Sequence, residues 1–282
     1  MAIVQYFSKV YKKLLRSSVN FLPMRLRALV KNIPVLAAFQ RWLVQSVLSG
    51  EPFLHTINAG PAKGLRFEVL LPLDKAIWTG TYESDVANAI SQGVHPGDVC
   101  YDIGGFRGYM AGVMALHGAG EVIVFEPLPV NQEALGRLCD LNAKLPIEIR
   151  PNAVGKVDGV IGFKVMTDLS MGKLQTSCFQ PGALMKEEIQ VTIRSLDSLV
   201  ACGEIRHPNL MKIDVEGAEL DVLLGAANIL RDSRPLIYLE AHSAKLENAC
   251  TQELEKHRYN VRRLESKEPQ SEQTRHLIAT PV

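Results

Sequence analysis

The fold class is decided by the stretch VCYDIGGFRGY, residues 99–109. An apolar run ends at Ile103, a glycine-rich turn follows, and helical periodicity begins at Tyr109. Glycines are required where a chain turns sharply from strand to helix and where its backbone touches a ligand. The stretch therefore predicts a buried strand, a tight ligand-binding turn and a helix.

Outward from this stretch, strand-like apolar runs alternate with helical periodicity. The predicted strands are Val99–Ile103, Val122–Phe125, Ile147–Ile149, Leu210–Val215 and Leu236–Leu239. The predicted helices are Tyr109–His117, Asn131–Asn142 and Ala218–Leu230. The alternation predicts an α/β fold with a parallel, doubly wound sheet and helices on both faces.

Three strand pairs are predicted outside this alternation. They are a short hairpin around Leu65–Leu71, an inserted or edge hairpin of Val160–Val165 with Ile189–Ile193, and a closing hairpin of Tyr259–Leu264 with His276–Ala279. The strands of the closing pair are joined by the polar loop Glu265–Arg275.

Charge divides the 282-residue chain into two predicted parts. Residues 1–50 hold eight basic and no acidic residues, so the remaining 232 hold 23 basic and 30 acidic ones. Residues 1–50 are interpreted as a basic amphipathic helical extension and residues 51–282 as one α/β domain. The extension either caps the core and shapes the acceptor pocket, or docks on anionic lipid.

Cysteine usage and the lack of a long apolar run bear on the compartment. The five cysteines are scattered and show no C-x-x-C spacing, which fits free thiols in a reducing compartment. No run reaches the roughly 18 apolar residues of a membrane span, and the N-terminus lacks a signal peptide's continuous apolar region. The prediction is a cytoplasmic protein, with peripheral membrane contact as the second interpretation of its basic arm.

An acid stands at the end of the second predicted strand. Glu126 follows Asp102 by 24 residues, and an acid there accepts hydrogen bonds from both ribose hydroxyls of an adenosine-containing ligand. The turn is not the G-x-G-x-x-G of dinucleotide enzymes, because Phe106 occupies the second glycine position. The alternative is that these are ordinary turn glycines and a surface acid.

Three ionisable residues share one face of the strand LMKIDVEG, residues 210–217. Lys212, Asp214 and Glu216 alternate with apolar residues, although a central parallel strand is normally apolar on both faces. Lys212 is interpreted as a structural ion-pair partner of Asp214 or Glu216. Asp214 and Glu216 are interpreted as site residues, because ligands bind beyond the carboxyl ends of such strands.

A third polar cluster follows the next strand. Glu240 and His242 share one strand face, and imidazole is the natural base near neutral pH. The predicted catalytic residues are Asp214, Glu216, Glu240 and His242. No histidine pair has metal-ligand spacing, so no metal is predicted, although these four residues are able in principle to converge on a divalent ion.

Several tracts together resemble the FkbM family of S-adenosylmethionine-dependent methyltransferases. They are residues 102–109, 125–127, 152–154, 195–197 and 211–219. The resemblance runs from about Tyr82 to His242, and its most specific part is Lys212–Glu219. It implies a Rossmann-like class I methyltransferase fold with a seven-stranded sheet whose last strand is antiparallel. It also implies methyl transfer to a hydroxyl of a sugar, glycolipid or secondary metabolite.

The resemblance implies a site for S-adenosyl-L-methionine. The glycine turn matches the family's methionine- and ribose-side loop, Glu126 its ribose acid, Asn152-Ala153 its adenine-side turn, and Glu83 an acid before the first core helix. The predicted cofactor-binding residues are Glu83, Asp102, Gly104, Gly105, Phe106, Gly108, Tyr109, Glu126, Pro127, Asn152, Ala153 and Asp214.

The chain departs from the family in the glycine turn. The family usually has Gly-Ala-Asn-x-Gly where this chain has Gly104-Gly105-Phe106-Arg107-Gly108. Phe106 lacks the amide of that asparagine. Arg107 is predicted to compensate by pairing with the methionine carboxylate of the cofactor.

Two other functions stay open. In a nucleic-acid (RNA) methyltransferase the basic arm would grip phosphates, but the arm lacks interleaved aromatic residues and the core is acidic, so no nucleic acid is expected. A non-catalytic cofactor-binding or scaffold protein would account for Phe106 at the position where the family usually has asparagine. The expected partner is a small-molecule, glycan or glycolipid acceptor. The oligomeric state is open, with a homodimer as one alternative.

Overall fold

A computed structural model describes residues 51–166, 172–174, 185–265 and 274–282. The predicted basic extension, residues 1–50, lies outside the described residues, and its two interpretations stay predictions. Among the described helices, none combines the length and the apolar character needed to cross a bilayer.

From residue 99 the described chain alternates strands and helices, with two interruptions: five consecutive strands between residues 147 and 194, and two at the C-terminal end. The strands are β1 (Phe53–Thr56), β2 (Arg66–Val69), β3 (Val99–Ile103), β4 (Glu121–Phe125), β5 (Ile147–Arg150), β6 (Ala153–Val154), β7 (Gly159–Met166), β8 (Gly172–Leu174), β9 (Met185–Arg194), β10 (Leu210–Ile213), β11 (Leu236–Ala241), β12 (Tyr259–Arg263) and β13 (Arg275–Pro281). The helices are α1 (Lys75–Thr79), α2 (Ser84–Gly93), α3 (Tyr109–Leu116), α4 (Pro129–Leu141), α5 (Leu196–Ala201), α6 (Glu219–Leu224), α7 (Ala227–Asp232) and α8 (Ala244–Lys256).

Seven strands form the main sheet in the order β12-β13-β11-β10-β3-β4-β5. Strands β5, β4, β3, β10 and β11 run parallel, whereas β13 lies antiparallel between β11 and β12. The predicted doubly wound sheet and its antiparallel last strand are confirmed. The winding reverses between β3 and β10, which opens a crevice beyond the carboxyl ends of these two strands.

Alternation along β3 and β4 divides the core between the two faces of the sheet. Cys100 and Val122 pack with α2, α3 and the β1–β2 pair, whereas Tyr101 and Ile123 pack with α5 to α8. All five residues of β3 are buried, as expected for a central parallel strand covered by helices. Because both faces of the central strands are covered, the positions of the strand ends are well defined. The side chains that follow these ends are positioned accordingly.

Two local predictions are wrong. The predicted helix Ala218–Leu230 is two helices, α6 and α7, because the Asp197 carboxylate accepts hydrogen bonds from the backbone N–H groups of Asn228 and Ile229 and so starts a new helix. The predicted hairpin around Leu65–Leu71 holds only β2, which pairs antiparallel with β1 farther upstream.

The predicted inserted and closing hairpins are both confirmed. Strands β7 and β9 pair antiparallel, and they belong to a separate four-stranded sheet of order β6-β9-β7-β8. Strands β12 and β13 pair antiparallel at one edge of the main sheet. The small sheet contributes Phe163 to the wall of the crevice described next.

Candidate active site

A cleft opens beyond the carboxyl ends of β3, β4 and β10, at the switch point of the main sheet. Its lining comes from these strand ends and that of β11, from the starts of α2 and α4, and from the small sheet. The lining residues are Tyr82, Glu83, Ile103, Gly104, Phe106, Phe125, Glu126, Pro127, Leu128, Asn131, Asn152, Ala153, Val154, Phe163, Asp214, Val215, Glu216 and Glu240. Polar groups of several elements therefore converge on one crevice, as in ligand sites of open α/β sheets.

The glycine turn is bound to both neighbouring strands. The Gly104 and Gly105 backbone N–H groups donate to the Phe125 carbonyl at 3.0 and 3.2 Å. Gly104 has φ of 80°, and a Cβ there would lie 1.7 Å from the carbonyl oxygen of Asp214. Only glycine permits both this conformation and this close approach to the end of β10.

Phe106 occupies a left-handed conformation with φ of 48°, which a bulky residue rarely adopts. Phe106 lines the cleft, and its backbone N–H donates to Glu126 Oε2 at 2.9 Å. The backbone of the turn therefore contacts the acid on β4 although the asparagine amide is missing.

Glu126 lies at the end of β4 with only 5% of its surface exposed. Besides the Phe106 N–H, its carboxylate accepts the Leu128 N–H at 2.9 Å through Oε1. Burial raises the pKa of Glu126 to about 7, although these hydrogen bonds partly oppose the rise. Because a carboxylate has about four acceptor positions, each oxygen can still accept a hydrogen bond from a ligand in the cleft.

Arg107 does not face the cleft, so its predicted pairing with a cofactor carboxylate is wrong. Its Nη1 lies 2.8 Å from both carboxylate oxygens of Asp74, and Nη2 donates to the Glu68 carbonyl. The guanidinium also stacks 5.1 Å from the centre of the Phe67 ring. Arg107 therefore fastens the glycine turn to the β2–α1 segment.

Replacing Arg107 by methionine should lower the free energy of unfolding by about 1–3 kcal/mol, because the pair with Asp74 is mostly buried. The affinity for the predicted cofactor should stay at the wild-type value. Chemical denaturation and calorimetry with S-adenosylmethionine measure the two quantities. Arg137→Met is the matched control, since the pair of Arg137 with Glu68 is exposed and worth little. A large loss of cofactor affinity in Arg107→Met would instead support the predicted pairing of Arg107 with the methionine carboxylate of the cofactor.

Lys212 lies buried beneath the turn and is confirmed as an ion-pair partner of Asp214. Its Nζ is 3.1 Å from Asp214 Oδ2, 3.5 Å from Asp102 Oδ1 and 3.2 Å from the Gly104 carbonyl. Burial alone would lower the pKa of Lys212, but Asp214, Asp102 and Glu83 raise it well above its usual value. Lys212 therefore stays charged and ties β10 to β3.

Four predicted cofactor-binding residues lie outside the cleft lining. Asp102 is fully buried beside Lys212, and Tyr109 packs edge-on against Tyr82 with ring centres 5.1 Å apart. Gly105 packs on Val124, and a Cβ at Gly108 would come within 2.6 Å of leucine side chains of α4. These residues shape the turn from behind, so their predicted direct contacts with a cofactor are not supported.

The remaining predicted cofactor-binding residues line the cleft from separate elements. Glu83, with φ of 41°, precedes α2, and burial followed by the charge of Asp214 raises its pKa. Pro127 follows Glu126, while Asn152 and Ala153 stand at the start of β6. Together with Gly104, Phe106 and Asp214, these residues surround the space that sequence predicts for the cofactor.

The four predicted catalytic residues converge. His242 is 4% exposed, and its Nδ1 lies 2.6 Å from Glu219 Oε1. Its Nε2 faces Glu216 Oε2 at 3.5 Å, Asp214 Oδ1 at 3.6 Å and Glu240 Oε1 at 3.7 Å. Asp214, Glu216 and Glu240 line the cleft, whereas His242 lies just behind them.

The charges in this cluster set which group can accept a proton. Burial would lower the pKa of His242, but the hydrogen bond with Glu219 and the neighbouring acids raise it to about 9. Burial raises the pKa of Glu216 to about 7 and that of Glu240 to about 8. His242 is therefore protonated near pH 7, and its predicted role as a base does not fit this environment.

Nine residues of the site were not predicted as site residues from sequence. Eight line the cleft, and the ninth orients His242. They are Tyr82, Ile103, Phe125, Leu128, Asn131, Val154, Phe163, Val215 and Glu219. Glu219 stands three residues after Glu216 in the most specific tract, which was the available signal. Phe163 had no signal, because the inserted hairpin carries no motif.

The strand order, with its antiparallel β13, and the cleft at the switch point define a class I methyltransferase-type fold. The family model described as "Methyltransferase FkbM domain" matches residues 102–277, which is more than half of the chain. The chain belongs to the FkbM methyltransferase family. The predicted family and fold class are thereby confirmed.

One curated relative is a hexuronic acid methyltransferase, AglP, from Haloferax volcanii. It is 30% identical over 165 residues, which cover 57% of this chain and 63% of the relative, so the similarity spans under two thirds of that protein.

Two solved structures are similar to this chain at low identity. An FkbM methyltransferase from Methylobacillus flagellatus KT is 16% identical with a TM-score of 0.48, covering 68% of this chain and 50% of that one. A precorrin-6y C5,15-methyltransferase from Geobacter metallireducens GS-15 is 13% identical with a TM-score of 0.45, covering 71% and 89%. The fold assignment rests on the strand order and the family match, not on these superpositions.

Proposed function

We propose that this protein is an S-adenosylmethionine-dependent O-methyltransferase that acts on a hydroxyl of a sugar of the hexuronic acid type. The observation that carries the proposal is the placement of Glu126. In an FkbM-family chain, a single nearly buried carboxylate stands in the switch-point cleft, at the strand end where an adenosine ribose is recognised.

The residues of the cleft fit this donor. Glu126 has acceptor positions left for two ribose hydroxyls, and Asn152 with Ala153 would flank the adenine. Gly104 leaves room at the methionine side, and the acids Glu83 and Asp214 favour a cationic ligand there. When bound, the donor supplies an activated methyl group on a sulfonium.

The acceptor side of the proposal rests on the acids at the ends of β10 and β11. For methyl transfer to an oxygen, a residue of the cleft would have to take the proton of the acceptor hydroxyl. Glu216 lines the cleft and is placed to take that proton. Glu219, through His242, holds the surrounding cluster in one arrangement.

The sugar class comes from the relative named a hexuronic acid methyltransferase. Phe163 of the small sheet also lines the cleft, where it packs with Leu128 and Ala153 beside the region that we assign to the adenine. The sugar class therefore rests on the named relative.

The test is methyl transfer from labelled S-adenosylmethionine to a panel of uronic acids, neutral sugars and their glycolipids. The proposal expects a base-stable methyl ether on a uronic acid. A base-labile methyl ester would move the reacting oxygen to the carboxylate, and labelled RNA without labelled sugar would favour the nucleic-acid alternative. Donor binding without transfer to any acceptor would support the non-catalytic alternative.

Replacing Glu216 by glutamine should reduce turnover by about 10²- to 10⁴-fold, because the variant loses the proton acceptor. The affinity for S-adenosylmethionine should change little. Glu253→Gln is the control, since Glu253 lies on α8, pairs with Lys256 and is not among the residues that line the cleft. Steady-state kinetics and calorimetry measure both quantities. Unchanged turnover in Glu216→Gln would remove Glu216 from the reaction.

A further inference from the structure

We propose that Asp214, Glu240 and His242 form a binding site for one divalent metal ion of the Mg²⁺ and Mn²⁺ class. One ligand atom of each residue lies within 4.8 Å of the others. The proposal is independent of the acceptor's identity and of methyl transfer itself. It replaces the sequence-based prediction that the protein holds no metal.

The distances within the trio suit a shared ion. His242 Nε2 lies 3.6 Å from Asp214 Oδ1 and 3.7 Å from Glu240 Oε1. These separations are too long for good hydrogen bonds. Metal–ligand bonds of about 2.0–2.2 Å place neighbouring ligand atoms about 3–3.5 Å apart, so only small movements are needed to close the trio on an ion.

Each carboxylate presents one oxygen to the trio. Asp214 Oδ2 contacts Lys212 at 3.1 Å, which leaves Oδ1 facing the imidazole. Glu240 Oε1 faces the same point, while its Oε2 lies 3.7 Å from His276 Nδ1. Lys212 thereby orients the Asp214 carboxylate, and both acids direct one oxygen at the imidazole.

Glu219 orients the histidine from behind. Its fully buried carboxylate is fixed by the Gly217 N–H at 2.8 Å and bonds to His242 Nδ1 at 2.6 Å. This directs Nε2 to the two acids. Because His242 and Glu240 carry raised pKa values of about 9 and about 8, an ion that binds here displaces their protons. A carboxylate on the far nitrogen is the usual partner of a metal-binding histidine, where it fixes the tautomer and strengthens the ligand.

An ion bound by the trio would be accessible to water and ligands in the cleft. Asp214 directly follows β10, while Glu240 and His242 stand at the end of β11, so the ligands are carried by two adjacent strands. Asp214 and Glu240 line the cleft, so water or an oxygen of a bound molecule can complete the coordination. Two carboxylates with one imidazole suit Mn²⁺, and carboxylates with water suit Mg²⁺.

The first test is a titration of the metal-stripped full chain with Mn²⁺, with free Mn²⁺ followed by electron paramagnetic resonance. The proposal expects one saturable ion per chain. Pulsed spectra of the bound ion should show the coupling of one imidazole nitrogen. Absence of saturable binding, or bound Mn²⁺ with no nitrogen coupling, would overturn the proposal without need of any variant.

Variants then assign the ligands. Glu240→Gln and His242→Gln should each weaken Mn²⁺ binding at least about tenfold, and Glu219→Gln should weaken it by about 10- to 100-fold through the histidine. Glu253→Gln is the matched control, since Glu253 lies 3.5 Å from His257 Nε2 on α8, and this pair belongs to no three-ligand cluster of the described residues. Wild-type affinity in both ligand variants would contradict the assignment. Because the readout is metal binding, it is separate from failure to find a methyl acceptor.

Discussion

Gly104→Ala should lower the free energy of unfolding by about 2–5 kcal/mol. The left-handed conformation contributes about 1–2 kcal/mol of this loss, and the added methyl group contributes about 1–3 kcal/mol by overpacking. The methyl carbon would stand 1.7 Å from the Asp214 carbonyl, so β3 and β10 would have to separate at the site. Chemical denaturation measures the loss, and donor affinity should fall with it.

Gly97 offers a matched control for the Gly104 substitution. Its φ of 88° is as strained for alanine, but no atom lies within 4 Å of the added methyl group. Gly97→Ala should therefore cost only the conformational part, about 1–2 kcal/mol. Equal losses in the two variants would contradict the close approach of the glycine turn to the end of β10.

Glu126→Gln should weaken S-adenosylmethionine binding by about 100-fold or more. Hydrogen bonds to a charged acceptor contribute about 1.5–3 kcal/mol each, and two ribose hydroxyls are expected to use this carboxylate. The glutamine amide would also place an N–H group against the backbone N–H of Phe106 or Leu128. Calorimetry measures the affinity, with the exposed α4 acid variant Glu133→Gln as control.

The pH dependence of donor binding provides a second measurement on Glu126. Because the pKa of Glu126 is raised to about 7, its carboxyl gains a proton as the pH falls below 7 and loses acceptor capacity. Wild-type affinity should therefore fall between pH 7.5 and 5.5, by up to about tenfold per pH unit at the acid end. The Glu126→Gln profile should be flatter. Parallel profiles would show that another group controls the titration.

Most of the fold could be predicted because its signals are local. Apolar runs separated by helical periodicity placed the central strands, and the glycine turn placed the switch point. The errors arose where a distant partner decides the structure. Asp197 splits the helix after β10 by capping α7 from another element, and β2 pairs with a strand beyond the predicted hairpin. The residue spacing around α7 and β2 indicates neither the capping by Asp197 nor the pairing with β1.

The candidate site was predictable where residues follow strand ends directly. Glu126, Asp214, Glu216 and Glu240 all line the cleft. Side-chain direction after a turn was not predictable, which is why Arg107 reaches Asp74 rather than the cleft.

The charges around the candidate site could not be predicted from the sequence either. His242 lies among Asp214, Glu216, Glu219 and Glu240, and these acids favour its protonated form. A pattern of residue types can place an imidazole near a site. The pattern does not show how many acidic side chains the fold brings close to that imidazole.

The most direct test of the account is a crystal structure of the full chain with S-adenosylhomocysteine, which keeps the adenosyl and amino-acid parts of the donor. We expect the ribose hydroxyls on the Glu126 carboxylate, the adenine beside Asn152 and Ala153, and the sulfur directed toward Asp214. The ligand bound elsewhere, or absent at saturating concentration, would contradict the assignment of this cleft.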